Sequence, residues 1–271
     1  MKMAGRTLDD VVFLEGGLGS QLLGLMLYLQ RTEDDPTTRV DTSYFVGGPE
    51  EPTDDAVGLT KWPWELHRYG FEVSQFGSVD RRLRVRLSRA DQGALDQRFM
   101  PLVAQRDWTR DFPIVDSALT ELHGLGLSAE AVYGCVHVRR GDYLRVSSRV
   151  VGLDEALALC DRVEGLLPES LVFVSDDPFT DAERDSVATR LRGRSCIFAT
   201  GDDQHAVHGV LRMASVLVTS NSTFSWSAGL LTTRPNAVVL SPQSFFGTDN
   251  EDVNRTFQSG SDWMVMRPRR R

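Results

Sequence analysis

Ala131-Val132-Tyr133-Gly134-Cys135-Val136 runs directly into His137-Val138-Arg139-Arg140-Gly141-Asp142-Tyr143. A β-prone apolar segment ending in two guanidiniums, a glycine and a carboxylate describes a strand that delivers charge to the rim of a sheet, where open α/β folds bind their ligands. Arginine presents planar, paired donors that match phosphate oxygens, so Arg139 and Arg140 suggest a phosphate-bearing ligand. A structural salt bridge from one of them to Asp142 is the alternative reading, and the seven residues alone leave both open.

Downstream the pattern alternates: strand 131–137, helix 153–167, strand 171–175, helix 180–192, strand 195–199, helix 203–214, strand 216–219, helix 222–231, strand 237–240. That order predicts an α/β fold with a parallel sheet covered by helices. Polar clusters follow three of the strands: His137 to Tyr143, Ser175-Asp176-Asp177, and Ser220-Asn221-Ser222-Thr223-Phe224-Ser225-Trp226. In a parallel sheet those strand ends share one edge. Upstream, Val11 to Leu14, the turn Gly16-Gly17-Leu18-Gly19 and Gln21 to Gln30 read as strand, glycine turn and helix. Glu33 to Gly58 reads as loops around one short strand within Val40 to Val46. The chain then turns aromatic from Trp62 to Phe71 and mixes charged with apolar positions at roughly helical spacing to Arg110. These segments divide into a first lobe, 1–125, and a second, 126–271, with the last residues available to pack back on the first.

A chain of 271 residues with 41% hydrophobic and 25% charged residues and a formal charge of -8 reads as a soluble globular protein without a polyanion-binding face, so nucleic acid is not an expected partner. Arg267-Pro268-Arg269-Arg270-Arg271 is a local basic exception, read either as a solvated tail or as a weak peripheral contact with an anionic membrane. Glu15, Gly16, Gly17, Gly19 and Gln21 interrupt the apolar residues between 11 and 29, so no transmembrane segment is expected. Met1 to Asp10 lacks a secretory pattern, which points to a cytoplasmic location. Cys135, Cys160 and Cys196 are odd in number, far apart and set in apolar segments, as reduced buried residues would be.

Ser220, Ser222 and Thr223 stand where a helix should begin. Their hydroxyls can cap it, while its free N–H groups and positive dipole end form an anion site. Asp176 and Asp177 precede Pro178 and either start the next helix or accept hydrogen bonds from a base or sugar. His137 reads as a core-edge ring, a ligand contact or a proton acceptor. His205 and His208, near Asp202 and Asp203, lack the further partners a zinc site requires, and no Asp-x-Asp triplet occurs to hold a divalent cation. No cofactor or metal is therefore expected. The P-loop, nucleophile-elbow and His-Glu-x-x-His patterns are absent, and the glycine turn misses the third glycine of the dinucleotide fingerprint.

Taken in order, His-Val-Arg-Arg-Gly-Asp-Tyr at 137–143, Ser-Asp-Asp at 175–177 and Ser-Asn-Ser-Thr-Phe-Ser-Trp at 220–226 make the chain resemble the α-1,2-fucosyltransferase family of glycosyltransferases. Gly-Gly-Leu-Gly-Ser-Gln at 16–21 is similar to that family's opening motif. Asp41-Thr42-Ser43-Tyr44-Phe45, Trp64-Glu65-Leu66-His67-Arg68-Tyr69 and Ser261-Asp262-Trp263 resemble further landmarks, so the similarity runs nearly end to end. The resemblance implies a GT-B architecture, two Rossmann-like lobes facing across a cleft, with GDP-β-L-fucose held mainly by the C-terminal lobe. It implies an inverting, metal-independent transfer of L-fucose to an acceptor hydroxyl, O2 of a terminal galactoside. Arg139 would contact the diphosphate, with His137 and the Ser175, Asp176 and Asp177 side chains near the nucleoside and Ser222 and Thr223 on phosphate oxygens. Arg140, Ser220, Asn221, Ser225, Gly17, Gly19 and Gln21 complete the expected donor-binding set. Arg139, Asp142 and His137 are the expected catalytic residues, with Asp142 the first candidate for general base, Glu15 the second and His137 the third. The chain departs from the family at Ser20, where Asn is usual, at Ser227, where a second Trp is usual, and at Val207, near a common aspartate. Those departures keep open a different GDP-sugar, an acceptor from specialised metabolism, or a GDP-binding module without turnover.

Overall fold

Every strand pairing among the described residues is parallel, so each pair needs a crossover connection to bring the chain back to the same edge. The computed structural model describes residues 11–46, 62–77, 103, 106–141 and 152–242, and the backbone of 263–266. The chain divides into two compact units, Met1–Arg106 and Asp107–Arg271.

In the first unit, strand β1 (Val11–Phe13) is buried throughout and leads through the glycine turn into helix α1 (Leu18–Asp34), which returns the chain to β2 (Arg39–Asp41) beside β1. The helix extends beyond its expected bounds at both ends. Leu18, Leu22, Leu25 and Met26 are buried on one stripe of it at helical spacing. The expected short strand begins one residue ahead of Val40 and ends at Asp41. The Asp41 carboxylate accepts the Ser43 backbone N–H at 2.9 Å and the Ser43 hydroxyl at 3.1 Å, a turn that competes with the ladder and opens the single helical turn α2 (Ser43–Val46). Much of the stretch with helical spacing before Arg110 lies outside the described residues.

The second unit begins with helix α3 (Asp116–Gly124), followed by β3 (Tyr133–Val138), α4 (Leu153–Arg162), β4 (Ser170–Ser175), α5 (Asp181–Arg190), β5 (Ser195–Ala199), α6 (Gln204–Arg212), β6 (Val216–Val218), α7 (Thr223–Leu230), β7 (Val238–Pro242) and β8 (Trp263–Met266). The strands form one sheet in the order β5-β4-β3-β6-β7-β8. The chain thus builds outward from β3 in one direction and, after α6, outward from β3 in the other. That reversal places a topological switch point between β3 and β6, where doubly wound sheets open a crevice at the carboxyl ends of their strands. Helix α4 stops earlier than the expected 167. A tight turn at Glu164–Leu166 closes it, and Leu167 is extended, as the residue before Pro168 tends to be.

Period-two alternation sorts the strand side chains between two cores. Val136, Val138, Leu171, Phe173, Val216 and Val218 pack with Leu157, Cys160 and Val187 of α4 and α5. Tyr133, Cys135, Val172, Val174 and Leu217 pack on the other face with Ala118, Leu122, Val210, Leu211 and Ala228 of α3, α6 and α7. Helix α3, which the sequence reading counts with the first lobe, thereby contributes to the core of the second unit. Cys135, Cys160 and Cys196 are free thiols. Burial pushes the Cys160 thiol up to about 12 and raises that of Cys135 as well.

Candidate functional site

Strand register decides which side chains meet at the switch point. Val138 is paired with Ser175 across β3 and β4, and Val136 with Val218 across β3 and β6. Arg139 and Asp176 therefore leave the sheet side by side, and His137 reaches the rim next to the chain leaving β6. The three polar clusters that the sequence places after separate strands are joined here by side-chain bonds.

On the β4 side the two aspartates clamp the arginine loop. Asp176 Oδ2 pairs with Arg139 Nη1 at 3.0 Å while its Oδ1 accepts the Arg140 backbone N–H at 2.8 Å. Asp177 Oδ2 accepts the Gly141 backbone N–H at 3.1 Å, and the Ser175 hydroxyl accepts the Asp177 N–H at 3.3 Å. Gly141 turns with φ +51, and a Cβ there would lie 2.5 Å from Asp176 Oδ2, so the clamp requires glycine on both counts. The Arg140 guanidinium is bound within the fold. It donates to Glu183 Oε1 at 2.7 Å and to the Pro178 carbonyl at 3.1 Å, and lies 4.5 Å from the centre of the Phe179 ring. Burial opposes ionisation of Glu183, but hydrogen bonds from Thr180 and the Arg140 charge outweigh it and hold the carboxyl below its ordinary value.

On the β6 side His137 Nδ1 lies 2.8 Å from Ser220 Oγ. Ser220, Asn221, Ser222 and Ser225 are all buried. Ser222 caps α7 by accepting the Phe224 N–H at 3.3 Å, and Thr223 is the first residue of the helix. The Phe224 ring lies between two imidazoles, 5.5 Å from His137 and 5.2 Å from His208, and His208 Nε2 is 2.9 Å from Ser227 Oγ. Desolvation, reinforced by the Arg139 charge, pushes His137 down to about 3. Desolvation also lowers His208 well below the usual imidazole value, with contributions from Arg212, His205 and His137. Both rings are therefore neutral at physiological pH.

A cation at the end of β3 beside a capped helix start at the end of β6 is suited to holding an anion: guanidinium donors on one side, the N–H groups and dipole of α7 on the other. Gly17, Gly19 and Gln21 belong to the first unit. Gly17 precedes α1 against the Trp62 ring, and Gly19 is buried in the helix. Gln21 is a structural tie: its amide donates to the Gly16 and Pro63 carbonyls, both at 2.8 Å, and accepts the Glu65 N–H at 2.9 Å. Glu15 is exposed. Asp142, Tyr143, the loop up to 151 and the C-terminal arginines lie outside the described residues. Among the described residues no three His, Cys, Asp or Glu side chains gather as a cation site requires, and no helix is long and apolar enough to cross a membrane.

Sequence reasoning missed Glu183 and Phe179, and it did not foresee that Phe224 packs against His137 and His208 or that His208 meets Ser227. Thr180 and Glu183 do carry a capping-box spacing, and Glu183 Oε2 accepts the Thr180 N–H at 2.8 Å. Nothing local signals that its other oxygen takes Arg140. Comparison of the chain with protein-family models, with curated proteins and with solved structures finds no match.

Proposed function

We propose that this chain is a fucosyltransferase that moves L-fucose from GDP-β-L-fucose to an acceptor hydroxyl, O2 of a terminal galactoside, with inversion and without a metal, on two lobes arranged as in GT-B enzymes. The reading rests on the ordered motifs that resemble the α-1,2-fucosyltransferase family. The observation that carries it is the 2.8 Å contact between His137 and Ser220, because it joins the arginine-bearing end of β3 to the start of α7 at the switch point. In the reaction the acceptor oxygen bonds to the anomeric carbon as the bond to the β-phosphate breaks. The acceptor proton passes to a base, and the charge developing on GDP falls to Arg139 and the N–H groups of α7, which can stabilise it by preorganised electrostatics. Asp142 remains the first candidate for the base, ahead of Glu15 and His137.

A second reading keeps the donor site and changes the acceptor or the sugar. Ser227, where the family has a second Trp, is fully buried and bonded to His208, so the packing beneath the site differs from the motif. Release of GDP by the full chain, measured over a panel of nucleotide sugars and acceptors, tests both readings. GDP-fucose is expected to be consumed, undiminished by chelator, and Arg139→Ala is expected to abolish turnover while leaving the circular dichroism unchanged. Full activity in folded Arg139→Ala would remove the diphosphate assignment, and consumption of GDP-mannose with GDP-fucose ignored would transfer the conclusion to the second reading.

A further inference from the structure

His137 is 4% exposed, and a neutral imidazole carries its proton on one nitrogen while the other accepts. Its surroundings specify which. Nδ1 lies 2.8 Å from Ser220 Oγ, Ser220 Oγ lies 3.4 Å from Ser225 Oγ, and the Ser225 hydroxyl reaches the Ser222 carbonyl at 3.4 Å. The Ser220 backbone N–H also donates to Ser225 Oγ, at 3.2 Å.

A carbonyl only accepts, so the Ser222 end fixes the direction: Ser225 gives its hydrogen to that carbonyl. Ser220 can then give its hydrogen to Ser225, and Nδ1–H its own to Ser220, so that every hydrogen of the chain is used. In the reverse order the Ser220 hydroxyl donates to Nδ1, and the single Ser225 hydrogen is left to serve either the Ser220 oxygen or the Ser222 carbonyl, not both. That arrangement makes one bond fewer in a buried site, where an unmade bond is costly.

We propose that Ser220 and Ser225 form a directional relay that fixes the proton of neutral His137 on Nδ1, leaving Nε2 as an acceptor for a hydroxyl or N–H of the bound ligand. Ser220 and Ser225 are then positioning residues. Position 137 reads a hydrogen-bond donor, such as a sugar hydroxyl or a base N–H, and phosphate oxygens are left to Arg139 and the N–H groups of α7. The tautomer is the same whether or not the chain transfers fucose, so failure of the transfer assay and failure of the relay are separate results.

Ring-nitrogen NMR of the uniformly 15N-labelled full chain near neutral pH tests the relay, with the His137 signals assigned by their loss in His137→Gln. The expected spectrum has a protonated Nδ1 and an unprotonated Nε2. Ser225→Ala does not touch the ring but removes the acceptor of the Ser220 hydrogen. That hydrogen then turns to Nδ1, and the ring proton moves to Nε2, reversing the pattern. Ser220→Ala is expected to release the ring into a mixture of tautomers, and Ser220→Thr, which keeps the hydroxyl, to retain the wild-type pattern. A wild-type ring protonated on Nε2 overturns the proposal, as does a folded Ser225→Ala protein with the wild-type pattern. Should Ser225→Ala not fold, the wild-type spectrum alone decides.

Discussion

Arg139 and Arg140 are neighbours in sequence with different surroundings. Arg140 is held by Glu183, a carbonyl and an aromatic face, whereas Arg139 pairs with Asp176 at the switch-point edge of the sheet. Arg140→Ala is expected to cost about 1–2 kcal/mol of stability, the sum of a partly screened ion pair and a stacked cation, read as a lower urea midpoint, while GDP affinity by calorimetry stays within about twofold. Arg139→Ala should weaken GDP by about 10- to 100-fold, the range for losing a charge-assisted hydrogen bond. Equal losses of affinity in the two variants would show that both guanidiniums face the ligand. Gly141→Ala should destabilise by about 1–2 kcal/mol from the left-handed backbone alone, and more from the overlap with Asp176; a urea midpoint equal to wild type would rule out the clamp.

Helix α3 docks on α6 at a point where the backbones are closer than side chains allow. A Cβ on Gly209 would lie 2.2 Å from Ala118 Cβ. Alanine normally gains about 0.5–1 kcal/mol over glycine in a helix, but forcing two methyl groups into that space costs about 1–3 kcal/mol, so overlap wins. Gly209→Ala is expected to lower the melting temperature, and adding Ala118→Gly should recover most of the loss; additive losses in the double variant would contradict the close approach. At this scale the periodic patterns served well in the second half of the chain. Apolar runs set between helical segments marked β3, β4 and β5, and strand β5 matches its expected span, Ser195–Ala199. They served less well at element ends, which are set by local bonds: the Asp41 side chain that stops β2, and the Pro168 that follows the turn after α4.

For the whole molecule, two buried neutral histidines make stability depend on pH. His137 has a folded value near 3 and His208 one well below its usual value, while the unfolded chain titrates them near 6.5. As pH falls below about 6.5, the unfolded state takes up protons that the folded state refuses, so stability is full above that pH and declines toward about 3. Each ring contributes a slope of up to about 1.4 kcal/mol per pH unit in that window. Urea midpoints measured from about pH 7 down to about pH 5 should fall steadily, and less steeply in His208→Gln. A flat profile would mean that the rings are hydrated in the native state.

Residue type and order determined the parallel α/β second half, the polar cluster after each of three strands, and the arginines, serines and aspartates that line one edge, because periodicity and strand-end chemistry are written locally. Which of those polar residues are tied to one another within the fold was decided by tertiary structure. Arg140 finds Glu183, Asp176 and Asp177 find the loop after β3, and His137 finds Ser220, each across dozens of residues brought together by strand order and register. Those partners depend on which strand lies beside which, and the reversal of direction after α6, made by packing that helix on the opposite face of the sheet, is a choice of burial that no single segment encodes.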